Sequence, residues 1–172
     1  MTPATTAGRR AGGASHVDGP DPDALSVRAV LLASEDREIP TAAVDLAARI
    51  AKRSGAPVHV FTIARIWGTS FGFPNPGLNP TKREWDQQRH NVAKAIGRLE
   101  RKGVEADGRV VATRAGSKRI VREATRLDCD AIVMAADPIA NPLIRNFIWR
   151  QEPWRVRRRA DVPVLLVVDQ TA

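Results

Sequence analysis

The sequence predicts an α/β fold: a three-layer, doubly wound arrangement in which an open parallel sheet of five strands carries helices on both faces. Three observations predict it. Short apolar runs alternate four times with stretches of helical periodicity. The runs are apolar at successive positions, as strands buried on both faces require. The length of 172 residues, of which 43% are hydrophobic, allows one domain with a substantial core.

The residues before this pattern cannot contribute much to a core. Residues 1–26 are mainly Thr, Ala, Gly, Ser, Pro and Asp, with almost no large apolar side chain. Burial cannot offset the ordering entropy of such a stretch. We therefore predict a disordered N-terminal tail over residues 1–26 and a single α/β domain over residues 27–172.

The first half of that domain contains two strands and two helices. Residues 29–33 form a continuous apolar run that predicts a strand. The apolar positions of residues 43–51 recur at helical spacing, and Gly55 ends this helix. Residues 58–64, rich in β-branched side chains, predict the second strand, and residues 82–102 the longest helix, ended by Gly103.

The second half repeats the alternation. A helix is predicted to begin at Gly116, with Ser117 as a candidate N-cap, and to bury a stripe that includes Ile120 and Ala124. The remaining three strands are predicted at residues 104–113, 130–135 and 162–168.

Four segments that contain predicted strands resemble those of a known family. Their order and separations resemble those of the universal stress protein family over residues 27–168. The resemblance implies the α/β fold above and a cytoplasmic homodimer. We expect the dimer to join along residues 164–168, because this apolar strand would otherwise leave an exposed edge. The matching motifs are RAVLLAS at 28–34, AARIA at 47–51 with GAPVHV at 55–60, DCDAIVM at 128–134 and DVPVLLVV at 161–168.

The glycines of the family's nucleotide-binding branch are missing. Members of that branch follow the fourth strand with Gly, two residues, Gly, nine residues and Gly-Ser or Gly-Thr, since a phosphate cradle needs close backbone approach. Here the first glycine falls on Ala135 and the second on Pro138, which has no N–H to donate. The third falls near Trp149 and Arg150, and the family's aspartate falls on Ser34. ATP binding in the family's manner is therefore not expected, and these positions mark a degenerate pocket.

Most of the surplus charge lies on one segment. The chain has a net charge of +8, and residues 145–159 contain six Arg and one Glu. Arginine side chains offer planar forks of donors to anions and stack on aromatic rings. One interpretation is docking to an acidic partner, and the other is a solvated helix that caps the sheet with its Trp side chains in the core. The candidate partner-binding residues are Arg145, Trp149, Arg150, Trp154 and Arg155.

An aromatic loop follows the second strand. Residues 66–76 contain Trp67, Phe71 and Phe73, and connections this long without secondary structure tend to be functional. The loop belongs at the carboxyl edge of the sheet, where α/β domains bind ligands. We expect these three aromatic residues to join the partner-binding set by closing over, or filling, the family's pocket. A hydrophobic flap without a ligand is the alternative.

Nothing in the sequence predicts an enzyme. His16, His59 and His90 lie far apart in the chain, and no Ser or Cys has a recognisable base beside it. These scattered side chains and the single Cys129 do not predict a metal site, and we expect no cofactor. One cysteine without a disulfide partner fits a reducing cytoplasm. No apolar run is long enough to cross a bilayer, and the first residues lack the apolar core of a secretory signal.

These features together predict a regulatory binding domain that acts through protein–protein interaction. The rival hypothesis is a stress sensor for a nucleotide or another anionic small molecule, with Arg150 and its neighbours in place of the glycine cradle. Nucleic-acid binding ranks third, because the sequence contains no recognisable reading helix or RNA-binding motif.

Overall fold

The computed structural model describes residues 15–66, 79–137 and 152–169. Four helices are present in these ranges, and none is both long enough and apolar enough to cross a membrane. The helices are Thr41–Ser54 (α1), Lys82–Arg101 (α2), Gly116–Arg126 (α3) and Glu152–Arg159 (α4), with a 3₁₀ turn at Pro22–Ala24. The strands are Ser15–Asp18 (β1), Val30–Glu35 (β2), Val58–Arg65 (β3), Ala106–Thr113 (β4), Ala131–Ala136 (β5) and Val164–Asp169 (β6).

The predicted doubly wound α/β fold is confirmed. The strands form one sheet in the order β1-β6-β5-β2-β3-β4. Strands β2 to β6 run parallel, with β2 at the centre between β3 and β5. The chain therefore builds outward from β2 in one direction through β3 and β4, and then in the other through β5 and β6.

Alternate strand residues fill two separate core layers. In β2, Val30 and Leu32 pack with α1 and α2, whereas Leu31 and Ala33 pack on the side of α3 and α4. All four side chains are buried. The continuous apolar runs in the sequence thus reflect strands covered by helices on both faces.

The N-terminal residues correct the expectation of a disordered tail over 1–26. Residues 15–18 form a sixth strand, β1, which pairs antiparallel with β6; residues 1–14 lie outside the described ranges. Val17 lies opposite Val167 and packs against the core. Without β1, the backbone N–H and C=O groups at this edge of β6 would be unpaired. Hydrogen bonding to them orders residues 15–18, although this polar stretch has little apolar surface to bury.

This pairing also changes the expected dimer contact. Residues 164–168 are covered by β1 and are not a free sheet edge. The exposed-edge argument for a dimer through this strand is therefore wrong. The outer strands of the sheet are β1 and β4.

Helix ends follow the sequence in one case and differ in another. The predicted end of α2 at Gly103 is confirmed, since Gly103 adopts the left-handed conformation at φ 74°. Thr81 and Glu84 form a capping box at its start. At α3, however, Ala115 is the N-cap residue and Ser117 lies inside the helix, so the predicted Ser117 cap is wrong. A carboxylate from α4, described below, meets the first turn of α3 instead.

Candidate functional site

The carboxyl ends of β2 and β5 define the candidate site. These neighbouring parallel strands lead to opposite faces of the sheet, β2 to α1 and β5 toward α4. Such a switch point leaves a crevice in which doubly wound domains bind ligands. The residues that follow these strands, and those that begin α3 nearby, determine what the crevice can hold.

A buried ion pair lies at this carboxyl edge. Glu35 ends β2 and its carboxylate accepts from Arg65, which ends the neighbouring strand β3, at 3.0 Å. Their side chains are only 8% and 19% exposed. The carboxylate also abuts α3, because a Cβ on Gly116 would lie 2.6 Å from Oε1 of Glu35. Glycine at this position thus makes room for a carboxylate of the chain itself.

A second carboxylate occupies the start of α3. Glu152, at the beginning of α4, is buried and accepts the backbone N–H of Ser117. Burial raises the pKa of Glu35, and the nearby carboxylate of Glu152 raises it further, against the opposing effect of Arg65. The first turn of α3, a favourable location for an anion, is therefore filled by two side chains of the protein.

A third acid turns the chain after β2. Asp36 adopts a left-handed conformation at φ 49°, and its Oδ1 accepts from Nε2 of Gln88 at 3.5 Å. Burial raises the pKa of Asp36, and the carboxylate of Glu84 raises it further. Arg65 opposes both effects, so Asp36 adds a negative charge to an edge that also holds arginine.

An ion pair spans the switch point itself. Arg37, after β2, contacts the carboxylate of Asp137, after β5, at 2.7 Å. The hydroxyl of Ser34 donates to the backbone oxygen of Arg37 at 2.9 Å. Ser34 is buried and stabilises this turn, so the residue at the family's aspartate position holds the local backbone.

Beside this ion pair lies a groove of about 400 Å³. It runs between the turn after β2, the beginning of α1 and the end of β5. Helix α1 has Pro40 as its N-cap residue, with no side-chain cap and no acid in its first turn. Ser15 of β1 and Val167 of β6 also line the groove. The groove is lined by Ser15, Arg37, Glu38, Pro40, Thr41, Ala42, Ala135, Ala136, Asp137 and Val167.

Two of the predicted partner-binding residues are described, and both have contacts within the chain. Trp154 is partly buried against the core beneath α3 and α4, with the Arg157 guanidinium 5.8 Å from its ring centroid. Arg155 is exposed and forms an ion pair with Glu152 at 3.4 Å. Arg157 also pairs with Asp18 of β1 at 2.9 Å. The Arg157–Asp18 pair thus links α4 to β1, whereas the other two contacts lie within α4.

The other predicted partner-binding residues, together with Pro138 of the degenerate pocket, lie outside the described ranges. They belong to the aromatic loop or to the connection between β5 and α4. They are Trp67, Phe71, Phe73, Pro138, Arg145, Trp149 and Arg150. Ala135 is described; it lies near the end of β5 and lines the groove.

The histidine and cysteine side chains do not form a reactive cluster. His59 Nδ1 lies 2.9 Å from the carboxylate of Asp107 on the neighbouring strand β4, and His90 is exposed on α2. Burial raises the pKa of the Cys129 thiol to about 12, which leaves it protonated at neutral pH and poorly nucleophilic. Within residues 15–66, 79–137 and 152–169, no group of three or more His, Cys, Asp or Glu side chains is arranged to hold a metal ion.

The strand order and the switch-point crevice define a doubly wound α/β domain, and comparison with known proteins identifies its family. The sequence model of the universal stress protein family matches residues 26–168, which is most of the chain. The chain therefore belongs to the universal stress protein family. No curated protein matches this chain.

Solved structures share the fold at low sequence identity. A universal stress protein from Archaeoglobus fulgidus is 17% identical, with a TM-score of 0.62 over 81% of this chain and 92% of that one. A second structure of a universal stress protein from that organism, in complex with dAMP, is 19% identical, with a TM-score of 0.59 over 80% and 95%. A universal stress protein in complex with cAMP is 20% identical, with a TM-score of 0.63 over 85% and 100%.

The ion pairs at the carboxyl edge are not among the features predicted from the sequence. A usable signal was present for one of them. Glu35 and Arg65 each end an apolar strand, and consecutive parallel strands of this fold lie side by side with their carboxyl ends at one edge. Opposite charges at two such ends predict an ion pair. No comparable signal connects Ser117 with Glu152, since 35 residues separate them.

Proposed function

We propose that this member of the universal stress protein family is a non-enzymatic regulatory binding domain of the cytoplasm that acts by docking a protein partner and does not hold ATP on a glycine cradle. The observation that carries the proposal is the occupation of the α3 N-terminus by Glu35 and Glu152. A phosphate at this part of the edge would have to displace two buried carboxylates and overcome their repulsion.

The missing glycines support the same conclusion from the sequence. Ala135 and Pro138 stand where the nucleotide-binding branch has glycine, and Glu152 directly follows the region of the third glycine. Proline cannot donate a backbone N–H and glutamate repels phosphate. Loss of the ATP motif is thus supported both by residue type and by the acids at the carboxyl edge.

The docking surface that we propose is the aromatic and arginine-rich segment before α4 together with the aromatic loop. Its members are Trp67, Phe71, Phe73, Arg145, Trp149, Arg150, Trp154 and Arg155. Exposed Arg155 is the described member that supports it, whereas Trp154 already packs against the core. An acidic surface is the expected partner, because residues 145–159 carry six Arg against one Glu.

A pull-down and a calorimetric titration test this proposal together. The full chain should recover a partner from a lysate of its source cells, and Trp149→Ala with Arg150→Ala should abolish recovery without unfolding. Trp85→Ala with Arg89→Ala on α2 is the matched control, because it removes the same two side-chain types, and the Arg89 guanidinium lies 5.9 Å from the centroid of the Trp85 ring. Micromolar binding of ATP, AMP, dAMP or cyclic AMP to the purified chain would contradict the proposal, and so would equal recovery with both double variants.

A second candidate function is supported by the groove at the switch point. Its volume suits a small ligand, Arg37 lies on its wall, and relatives with this fold have been solved with dAMP and cAMP. An anionic small-molecule sensor would use this groove in place of the occupied α3 end. Calorimetry should then detect a nucleotide whose affinity falls at least about tenfold in Arg37→Gln, since a lost charge-assisted hydrogen bond weakens binding by this order.

Homodimer formation remains a proposal that rests on the family. The edge of β6 is covered by β1, so we propose that any dimer uses another surface of the domain. Light scattering with size-exclusion chromatography measures the mass directly.

A further inference from the structure

Helices α3 and α4 expose only basic charged side chains. The two helices pack side by side on the same face of the sheet. Their only acidic residues, Glu123 and Glu152, are both buried. We call five exposed residues of these helices the basic face: Lys118, Arg122, Arg126, Arg158 and Arg159.

The members of the basic face lie close together. Lys118, Arg122 and Arg126 are four residues apart, so they follow one side of α3 with a rise of about 6 Å between neighbours. Arg159 donates to the hydroxyl of Ser117, which precedes Lys118 in the chain. This contact places Arg159 beside the start of the α3 row, and Arg158 precedes Arg159 on α4.

The acids of these helices do not neutralise this charge. Glu123 is shared by the guanidinium groups of Arg109, Arg119 and Arg126, at 3.4, 3.4 and 2.7 Å. One carboxylate cannot offset all three of these charges, although Asp107 also acts electrostatically on Arg126. Among the described residues, no carboxylate forms an ion pair with Lys118, Arg122 or Arg158.

The chemistry of this surface favours one class of partner. Ile120, Ala124 and Val156 pack in the core, so these helices do not offer those apolar side chains for insertion into a membrane. The one aromatic residue on the two helices, Trp154, packs against the core, and base stacking of a single strand needs exposed rings. Forked arginine donors suit phosphate oxygens. We propose that the basic face binds the phosphate backbone of duplex nucleic acid without sequence preference.

From the sequence alone, nucleic-acid binding ranks third, because no reading helix is recognisable. A reading helix is needed only for recognition of base edges, whereas backbone binding requires a concentration of positive charge. The sequence places most of the surplus charge on residues 145–159. In the folded chain, the basic row on α3 lies beside α4, and the acids of both helices, Glu123 and Glu152, are buried. The inference does not rest on the proposed protein docking.

Fluorescence anisotropy with a labelled 20-base-pair duplex DNA of mixed sequence tests the proposal. The full chain should bind at 50 mM salt, and the logarithm of its affinity should fall linearly with the logarithm of salt concentration. Replacing Lys118, Arg122 and Arg158 together by Gln should weaken binding at least about tenfold. It should also reduce the salt slope by about two to three units, since three phosphate contacts are lost.

The matched control removes the same charges from another helix. Lys82→Gln, Arg83→Gln and Arg101→Gln, all exposed on α2, should leave affinity and slope within about twofold of the unmodified chain. Circular dichroism verifies that both triple variants are folded. The proposal is overturned if the chain shows no binding at 50 mM salt up to about 100 µM protein, or if both triple variants weaken binding equally. Binding to vesicles of phosphatidylserine and phosphatidylcholine but not to the duplex would equally overturn it.

Discussion

At the scale of single residues, the carboxyl edge is governed by where charges are buried. Glu35 is held between a favourable contact with Arg65 and two unfavourable effects, burial and the neighbouring carboxylate of Glu152. Burial and Glu152 outweigh the arginine, because the pKa of Glu35 is raised. The proximity of the Glu35 and Glu152 carboxylates therefore lowers the stability of the protein at neutral pH. The same two charges repel any further anion at this edge.

Replacing Glu35 by glutamine should make the protein less sensitive to rising pH. A carboxyl whose pKa is raised on folding contributes stability below its unfolded value, near 4.5, and loses that contribution as pH rises through the folded value. The melting temperature of Glu35→Gln relative to the unmodified chain should therefore increase from pH 4 to pH 7. Thermal melts across this range measure it, with exposed Glu100→Gln as control. A constant difference in melting temperature at all pH values would contradict the assignment.

At the scale of elements, β4 approaches β3 unusually closely. A Cβ on Gly108 would lie 2.7 Å from the backbone oxygen of Val60 and 2.7 Å from Cγ1 of Val92. The first of these is backbone in the neighbouring strand and cannot rotate away. Glycine in this strand thus lets α2 pack down on the sheet.

Gly108→Ala should destabilise the protein, by about 1–3 kcal/mol, because the added methyl group overpacks this contact. Chemical denaturation measures the free energy of unfolding. Gly97→Ala on α2 is the informative control: its nearest neighbour would be Arg101 at 3.5 Å, an ordinary contact. Alanine there should stabilise the helix by about 0.5–1 kcal/mol. Equal effects of the two substitutions would exclude close packing as the cause.

At the scale of the whole molecule, the edges of the sheet decide how the chain meets other copies. Strand β1 covers β6 through four paired residues, from Ser15 opposite Asp169 to Asp18 opposite Leu166. Asp18 also pairs with Arg157 of α4. An N-terminal segment that is poor in apolar residues therefore protects the edge of the most apolar terminal strand.

Deleting residues 1–19 should expose β6 and promote self-association through its free backbone groups. Light scattering with size-exclusion chromatography should show mass rising with concentration for the truncated chain. Deleting only residues 1–14 keeps β1 and should leave the mass unchanged from that of the full chain. If both deletions behave alike, β1 does not protect this edge.

The sequence by itself determined the fold class, because burial on both faces gives each central strand a continuous apolar run with helical periodicity between the runs. It also determined the end of α2, since Gly103 alone among nearby residues readily takes the left-handed conformation. Absence of the family's glycines was equally readable from Ala135 and Pro138.

Only the tertiary structure decided the contacts between distant segments. Residues 15–18 have too little apolar surface to predict a strand, and they form one because β6 offers unpaired hydrogen-bonding groups 150 residues later in the chain. The Ser117–Glu152 contact and the joining of α3 with α4 depend likewise on packing across the sheet. Local patterns determine which segments are strands or helices, whereas edge pairing, buried charges and a shared basic surface depend on which segments the fold brings together.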